Sequence, residues 1–169
     1  MPSIRSAENA ASSHERLSIS RPPARSTSRP LRSEYVTGNY FSTLGVRAFG
    51  GRVFTAADDT PAAAPVVVLS HHVWQGTYAG DQSMVGATLV IEGHPFTIVG
   101  VTAPGFFGET LRGDPPDVWI PLQREPLING DTSTLGQPVS AWLRAIGRLR
   151  PGATTEGMGP RLTGILHQW

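Results

Sequence analysis

The side chains best suited to chemistry cluster in three places. Ser70-His71-His72 follows a hydrophobic run, Asp58-Asp59 precedes it, and Asp114 and Asp117 lie in a later polar stretch. Adjacent histidines on a helix point about 100° apart, so His71 and His72 are poorly placed to chelate one metal ion, and no HExxH motif is present. His14 sits in a polar head and His94 in a turn, and spacing gives neither an acidic partner. Ser70-His71 raises a nucleophile reading, but a catalytic base must fold back onto the hydroxyl, which sequence neighbours rarely do. There is no G-x-S-x-G elbow. A helix-capping role suits Ser70 better. The acidic pairs could hold Ca²⁺, yet neither lies in a D-x-[DN]-x-[DN]-G series, and solvated loop carboxylates are the simpler reading. Gly100, Gly105 and Gly108 lack dinucleotide spacing and read as turn glycines. No catalytic, cofactor-binding or metal-ligating residue is therefore assigned, no cofactor is implied, and the chain is expected not to be an enzyme.

Composition removes further classes. All fourteen basic residues are arginine. Without lysine there is no P-loop, kinase-type site or Schiff base. If ATP drives the protein, another chain or domain must bind it. The absence of cysteine rules out disulfides and thiolate metal sites. No window approaches the roughly 18–20 apolar residues of a membrane span, and the first twenty residues lack the apolar centre of a signal peptide.

The net charge of +1 is unevenly spread. Residues 1–33 carry six arginines against two glutamates, a balance of +4; residues 34–169 carry eight arginines against eleven acids, a balance of −3. The basic head has no aromatics for base stacking and no nucleic-acid fold motif, so no nucleic-acid partner is expected. Rich in Ser, Arg and Pro and lacking hydrophobic period, residues 1–33 read as a disordered basic head.

Organised pattern begins at Glu34. Tyr40, Phe41 and Leu44 predict a short helix ended by Gly45. Thr55 is placed to cap a turn carrying Asp58 and Asp59. Pro65-Val66-Val67-Val68-Leu69-Ser70 predicts a strand buried on both faces. Ser70 then starts a helix through Val73, Trp74 and Tyr78, and this strand–helix unit should lie at the centre of the fold. Thr88–Ile91 and Phe96–Val101 predict a hairpin. Asp117–Pro121 predicts a strand, residues 122–141 a long surface loop, and Trp142–Leu149 a strand. Leu162, Ile165, Leu166 and Trp169 would form the buried stripe of a last helix. Trp74, Trp119, Trp142 and Trp169 are expected to pack the core, each indole N–H needing a partner. Strands outnumber helices, and hairpins accompany a βαβ-type unit, which makes the class α+β.

The order of short motifs is itself informative. Tyr35-Val-Thr-Gly-Asn-Tyr-Phe-Ser-Thr-Leu-Gly-Val46 is followed by Gly51-Arg-Val-Phe54, then by Pro65–Ser70 with Trp74. Gly80-Asp81, Val85-Gly86, Phe96–Val101, Pro104-Gly-Phe106, Asp117–Pro121 and Trp142-Leu143…Gly147-Arg-Leu149 complete the series. Over residues 34–169 this succession resembles the MacB-like periplasmic core domain of FtsX-like ABC-transporter permeases. The resemblance implies a βαβ-type subdomain with a smaller, mostly-β inserted subdomain, placed near residues 84–121. It also implies a place on the extracytoplasmic side of the cell membrane, a permease homodimer, and a cytoplasmic ATPase whose hydrolysis is coupled to export or extraction of amphipathic cargo. An adaptor protein is a further implied partner. The membrane helices of such a permease are not in this chain, and a free-standing soluble ligand- or protein-binding module of the same fold is the alternative reading.

Overall fold

Four consecutive apolar residues with no polar alternation can be buried only between two layers, and Val66–Leu69 fills that position. The computed structural model describes residues 14–18, 29–137, 142–152, 154–155, 158–159 and 163–164. Its strands are β1 (His14–Ser18), β2 (Arg29–Val36), β3 (Ala48–Gly51), β4 (Val66–Leu69), β5 (Thr88–Ile91), β6 (His94–Thr102) and β7 (Val118–Pro121). Its α-helices are α1 (Tyr40–Leu44), α2 (His71–Tyr78) and α3 (Glu125–Asn129).

All seven strands belong to one mixed sheet, in the order β3-β6-β4-β7-β2-β1-β5, and β5 pairs again with β6. That last pairing closes six strands into a ring, with β3 left as a flap on β6. The β4 and β6 strands run parallel with α2 between them in the chain, which is the expected βαβ connection. The class is α+β. The strands expected in the insertion, β5 to β7, hydrogen-bond into this same ring.

Alternating residues of five strands meet in one cluster: Leu31, Val67, Leu69, Leu89, Ile91, Phe96, Ile98, Val118 and Ile120, joined by Trp74 and Met84. Such a cluster is the filled inside of a closed sheet. The opposite faces of β4 and β7 present Val66, Val68 and Trp119, which are covered by Tyr40 and Phe41 of α1 and by Phe54. Both faces of β4 are thus buried, as its sequence requires. The ring also forces close backbone approach. A Cβ at Gly100 would lie 2.1 Å from the Arg52 carbonyl oxygen, so Gly100 permits a crossing inside β6 and is not a turn residue.

Four expectations are corrected. The boundary at residue 34 falls inside β2, which pairs in parallel with β7 through Ser33–Val36 and antiparallel with β1 through Arg29–Arg32. Residues 14–18 and 29–33 of the supposed disordered head are therefore strand, and Leu31 is 2% exposed. Pairing with neighbours, not intrinsic pattern, makes these residues β, as strand propensity commonly yields to context. The rest of 1–33 lies outside the described residues.

Residues 122–141 are not simply a surface loop. Leu122–Arg124 forms a 3₁₀ turn that runs into α3, which has a proline in its first turn, where the missing N–H does no harm. Leu122, Arg124 and Glu125 are buried. Arg124 donates to the carbonyls of Thr60, Pro61 and Ala63 and so ties this turn to the segment before β4. Residues 142–150 form no strand; they are irregular and exposed, and Trp142 is 38% exposed. Trp169 and the expected last helix lie outside the described residues, apart from two helical positions, 163 and 164.

Two changes test this architecture. Val67 is fully buried in β4, so Val67→Asp places an unpaired charge in the core and should cost about 3–5 kcal/mol, comparable to the stability of a small domain. A soluble variant with an unchanged thermal midpoint would refute the burial of β4. Deleting residues 1–33 removes β1 and five of the eight residues of β2. The truncated chain should melt at least about 10 °C lower than the full chain, or aggregate, in differential scanning calorimetry, through loss of Leu31 and of the ring closure.

Candidate functional site

The residues that looked chemical in the sequence are for the most part engaged in holding backbone. Ser70 is fully buried and caps α2: its Oγ accepts from the Val73 N–H at 3.3 Å, and its own N–H donates to the Asp117 carbonyl at 2.9 Å. The two histidines diverge as helical geometry demands. The His71 ring stacks edge-on against Phe49 and tilted against Trp74, while His72 Nε2 lies 3.0 Å from Asp117 Oδ1. Asp117 also accepts from the Arg32 N–H at 3.0 Å, fastening β2 beside β7. Its companion Asp114 forms an exposed ion pair with Arg32 at 2.9 Å.

Asp58 and Asp59 divide their work. Asp58 takes both guanidinium nitrogens of Arg52 at 2.7 Å and the N–H and hydroxyl of Thr55, as expected for the turn that Thr55 opens. These bonds, the Arg52 guanidinium first, hold its carboxyl down at about 2. Asp59 accepts from the Gly38 N–H at 3.0 Å and from the Gln123 N–H at 2.9 Å, joining the entry of α1 to the exit of β7. Gly38 is required there, since an added Cβ would lie 2.4 Å from the Thr55 carbonyl oxygen. His94 opens β6 opposite Ile91. Among the described residues, no group of three or more His, Cys, Asp or Glu side chains is arranged to hold a metal ion.

Two further acidic sites, Glu125 and the pair Glu34 and Glu109, were not singled out by sequence reasoning. Glu125 is 1% exposed. It accepts from Asn129, the Ser133 hydroxyl, and the Thr134 and Leu135 N–H groups. Burial would raise its proton affinity, but these donors, Ser133 foremost, hold it below the ordinary carboxylate range. It ties residues 133–135 back to α3.

The second is Glu34 on β2, which meets Glu109 from the loop between β6 and β7. Tyr40 donates its hydroxyl to Glu109 Oε2 at 2.9 Å. Arg112 Nη2 lies 3.0 Å from Glu109 Oε1 and 3.5 Å from Glu34 Oε1. Arg144 reaches Glu109 at 3.4 Å from the irregular segment 142–150. Glu34 Oε2 and the indole Nε1 of Trp119 are both buried without a hydrogen bond of good geometry. Burial, then the Glu109 charge, push Glu34 up to about 7, against the pull of Arg112. For Glu109 burial also opposes ionisation, but its own backbone N–H, the Tyr40 hydroxyl and Arg112 prevail and keep its affinity low. Burial, with the Glu34 charge, raises the Tyr40 hydroxyl. One proton shared between two carboxyls is the chemistry this arrangement supports. The residues that build it are separated by up to 110 positions, and no local motif announces it.

The whole chain can now be set beside known proteins. It matches the MacB-like periplasmic core domain over residues 2–165, and it belongs to that family. The match includes most of the head that the sequence alone had set apart. The family is that of a transporter permease's periplasmic domain and not a catalytic one. The export ATP-binding/permease protein MacB of Pseudomonas entomophila is 30% identical over 88 residues, 52% of this chain and 13% of that protein. The periplasmic region of MacB from Actinobacillus actinomycetemcomitans superposes with a TM-score of 0.57 at 16% identity, covering 91% of this chain and 62% of the other. A permease-protein domain from Porphyromonas gingivalis gives 0.57 at 14% identity, covering 92% and 60%. At these identities the superpositions establish the fold. The chain thus spans less than two thirds of the relatives it matches. None of its described helices is long and apolar enough to cross a membrane.

The carboxylates predict stability arms of opposite sign. Glu34 binds its proton more tightly folded than unfolded, so its contribution is complete below the ordinary value of 4.5 and is lost as pH rises through about 7. The thermal midpoint should fall between pH 5 and 8, and Glu34→Gln should flatten that fall. Asp58 is the reverse: its contribution is complete above 3.8 and lost as pH falls through about 2. Because Arg52 is half exposed, screening reduces that arm to about 1 kcal/mol. Calorimetry across pH 2–8 on the native chain and on Glu34→Gln and Asp58→Ala checks both signs.

Proposed function

We propose that this chain is the extracytoplasmic, non-catalytic working part of an ABC-transporter permease. In this reading ATP hydrolysis in a cytoplasmic partner drives its movement, and the movement exports or extracts amphipathic cargo. The observation that carries the reading is the family match over residues 2–165. The name of the curated relative joins export, ATP binding and a permease in one protein. This chain has no lysine for a phosphate loop, so the nucleotide would be bound elsewhere. The side-chain geometry agrees with the reading. Ser70, Asp58, Asp59 and Asp117 are turned onto backbone N–H groups or neighbouring side chains of their own domain, and no nucleophile–base pair converges on a common point among the described residues. Function would then lie in surfaces and in movement of the domain as a body. A permease homodimer is the assembly that suits this role, with an adaptor as a further partner.

The test is a graft. Replacing the equivalent domain of an intact related permease with this chain should leave that protein folded and dimeric in the membrane. Single changes of Ser70, His71, His72, Asp58 or Asp59 to Ala should remove no hydrolytic or transfer activity from the purified chain, although Asp59→Ala should lower its thermal midpoint by several degrees. A hydrolytic activity that disappears with one of these changes would overturn the reading. A graft that never assembles, beside a free chain that holds a tight small-molecule ligand, would favour the free-standing binding module.

A further inference from the structure

The segment from Ala103 to Asp117 connects β6 to β7 and is fastened unevenly. Its base is secured by Asp117 on the Arg32 N–H and His72 and by the Asp114–Arg32 ion pair. Its first turn is anchored by Phe106, packed against Tyr40, Phe41 and Trp119. The tip between these anchors adds little apolar burial, since Phe107 is 38% and Leu111 89% exposed. Glu109 and Arg112 hold this tip to the body, facing Glu34.

We propose that the Glu34–Glu109 carboxyl pair is a proton-operated latch, which fastens the tip of this loop over Tyr40 and Trp119 while one proton is shared and lets it lift when both groups are ionised.

The geometry divides the two carboxylates unequally. Glu109 receives the Tyr40 hydroxyl, Thr110, Arg112 and Arg144. Glu34 has the longer approach of Arg112 at 3.5 Å and the Trp119 indole N–H, but that indole and Glu34 Oε2 are both buried without a hydrogen bond of good geometry. An ionised Glu34 would leave a poorly compensated anionic oxygen beside a second anion, whereas a neutral Glu34 can donate to Glu109. The groups facing Glu34 come from every packed element: Tyr40 from α1, the uncharged Trp119 indole from β7, and Glu109 and Arg112 from the loop. Arg144 approaches through Glu109, and Arg32, Asp114, Asp117 and His72 lie at the loop's base. Two arginines on Glu109 favour that carboxylate, whereas Glu34 has only a distant Arg112 and a poorly aligned Trp119 indole as donors. The loop can yield locally because the ring behind it is held by its own core. A side chain at Gly108 would begin 3.6 Å from Glu34 Oε2 and 3.8 Å from the Tyr40 hydroxyl, so the tip covers both groups closely. The latch rests on these contacts and not on the transport reading.

The test is a pH titration of the isotope-labelled whole chain by NMR from pH 5.5 to 8.5. The Glu34 carboxyl carbon and the amides of Gly108, Glu109 and Leu111 should share one inflection near pH 7. In Glu34→Gln, which keeps a donor but cannot ionise, the amide inflection should vanish with the tip fastened throughout. Removing the neighbouring charge with Glu109→Gln should move the Glu34 midpoint down by at least about one pH unit. His72→Gln removes the imidazole at the loop's base and should leave the inflection in place. Tip amides that do not respond to pH, an inflection that survives Glu34→Gln, or one that is lost in His72→Gln would each overturn the latch. Should Glu34→Gln fail to fold, Glu109→Gln decides: a downward shift supports the latch and an unmoved midpoint overturns it.

Discussion

Val66–Leu69 has no polar face, and the rest of the molecule is arranged around hiding both sides of it. On one side the strands curl until β5 meets β6, and the closed ring supplies Leu31, Leu89, Ile91, Phe96 and Ile98. On the other, a helix of only five residues lays Tyr40 and Phe41 against Val66, Val68 and Trp119. Neither cover is stable by itself. A five-residue helix is far below the length that holds in water, and a strand with two buried apolar residues, such as β2 at Leu31 and Val36, has little to gain alone. Each is fixed by the burial it completes, at about 1.5–3 kcal/mol for each large apolar side chain.

Closing a sheet this tightly leaves many backbone groups at crossings where no ladder reaches them, and the acidic residues answer that need. Asp59 serves two N–H groups on segments 85 residues apart, Gly38 and Gln123. Asp117 receives the Arg32 N–H, and Glu125 receives those of Thr134 and Leu135. A carboxylate so used is charge-assisted and local, and its lone pairs are no longer directed at a substrate. This is why a chain with several paired acids presents no converging site among the described residues. Glu34 differs, because its partner is another acid and one of its oxygens faces a buried indole without a proper bond.

Local pattern revealed the elements whose burial is written in consecutive residues: β4, α1 with Tyr40 and Phe41, α2 with its Ser70 cap, and the β5–β6 hairpin across Glu92-Gly93. It failed where structure depends on distant partners. The Arg29–Val36 stretch has arginines at two of its first four positions and reads as solvated, yet β1 and β7 supply its pairing. Glu125-Pro126 looks like a loop until Glu125 is found satisfied by residues 129–135. Trp142–Leu149 shows the opposite failure. Its alternation suits a strand, but alternation needs a free edge. In the closed ring only β3 keeps an outer edge, and the segment does not pair with it; it lies across the surface, tied by Arg144 to Glu109 and by Arg148 to the Thr43 carbonyl. The Glu34–Glu109 pair was illegible for the same reason, since 75 positions separate two ordinary glutamates.

The distribution of these ties bears on how such a domain could work. The ring and its covers are linked by apolar burial on both faces of β4 and by carboxylates that each join distant segments, an arrangement that resists internal deformation. The loop tip at 107–113 and the segment 142–150 are held instead by side chains of Glu109, Arg112, Arg144 and Arg148 over largely exposed backbone. A force applied to such a body would meet most resistance in the ring, and the parts freest to respond are those held mainly by side-chain hydrogen bonds and ion pairs. In the proposed transport role that division would suit a part that transmits motion, because the region with the densest ties has its polar atoms turned inward onto its own backbone.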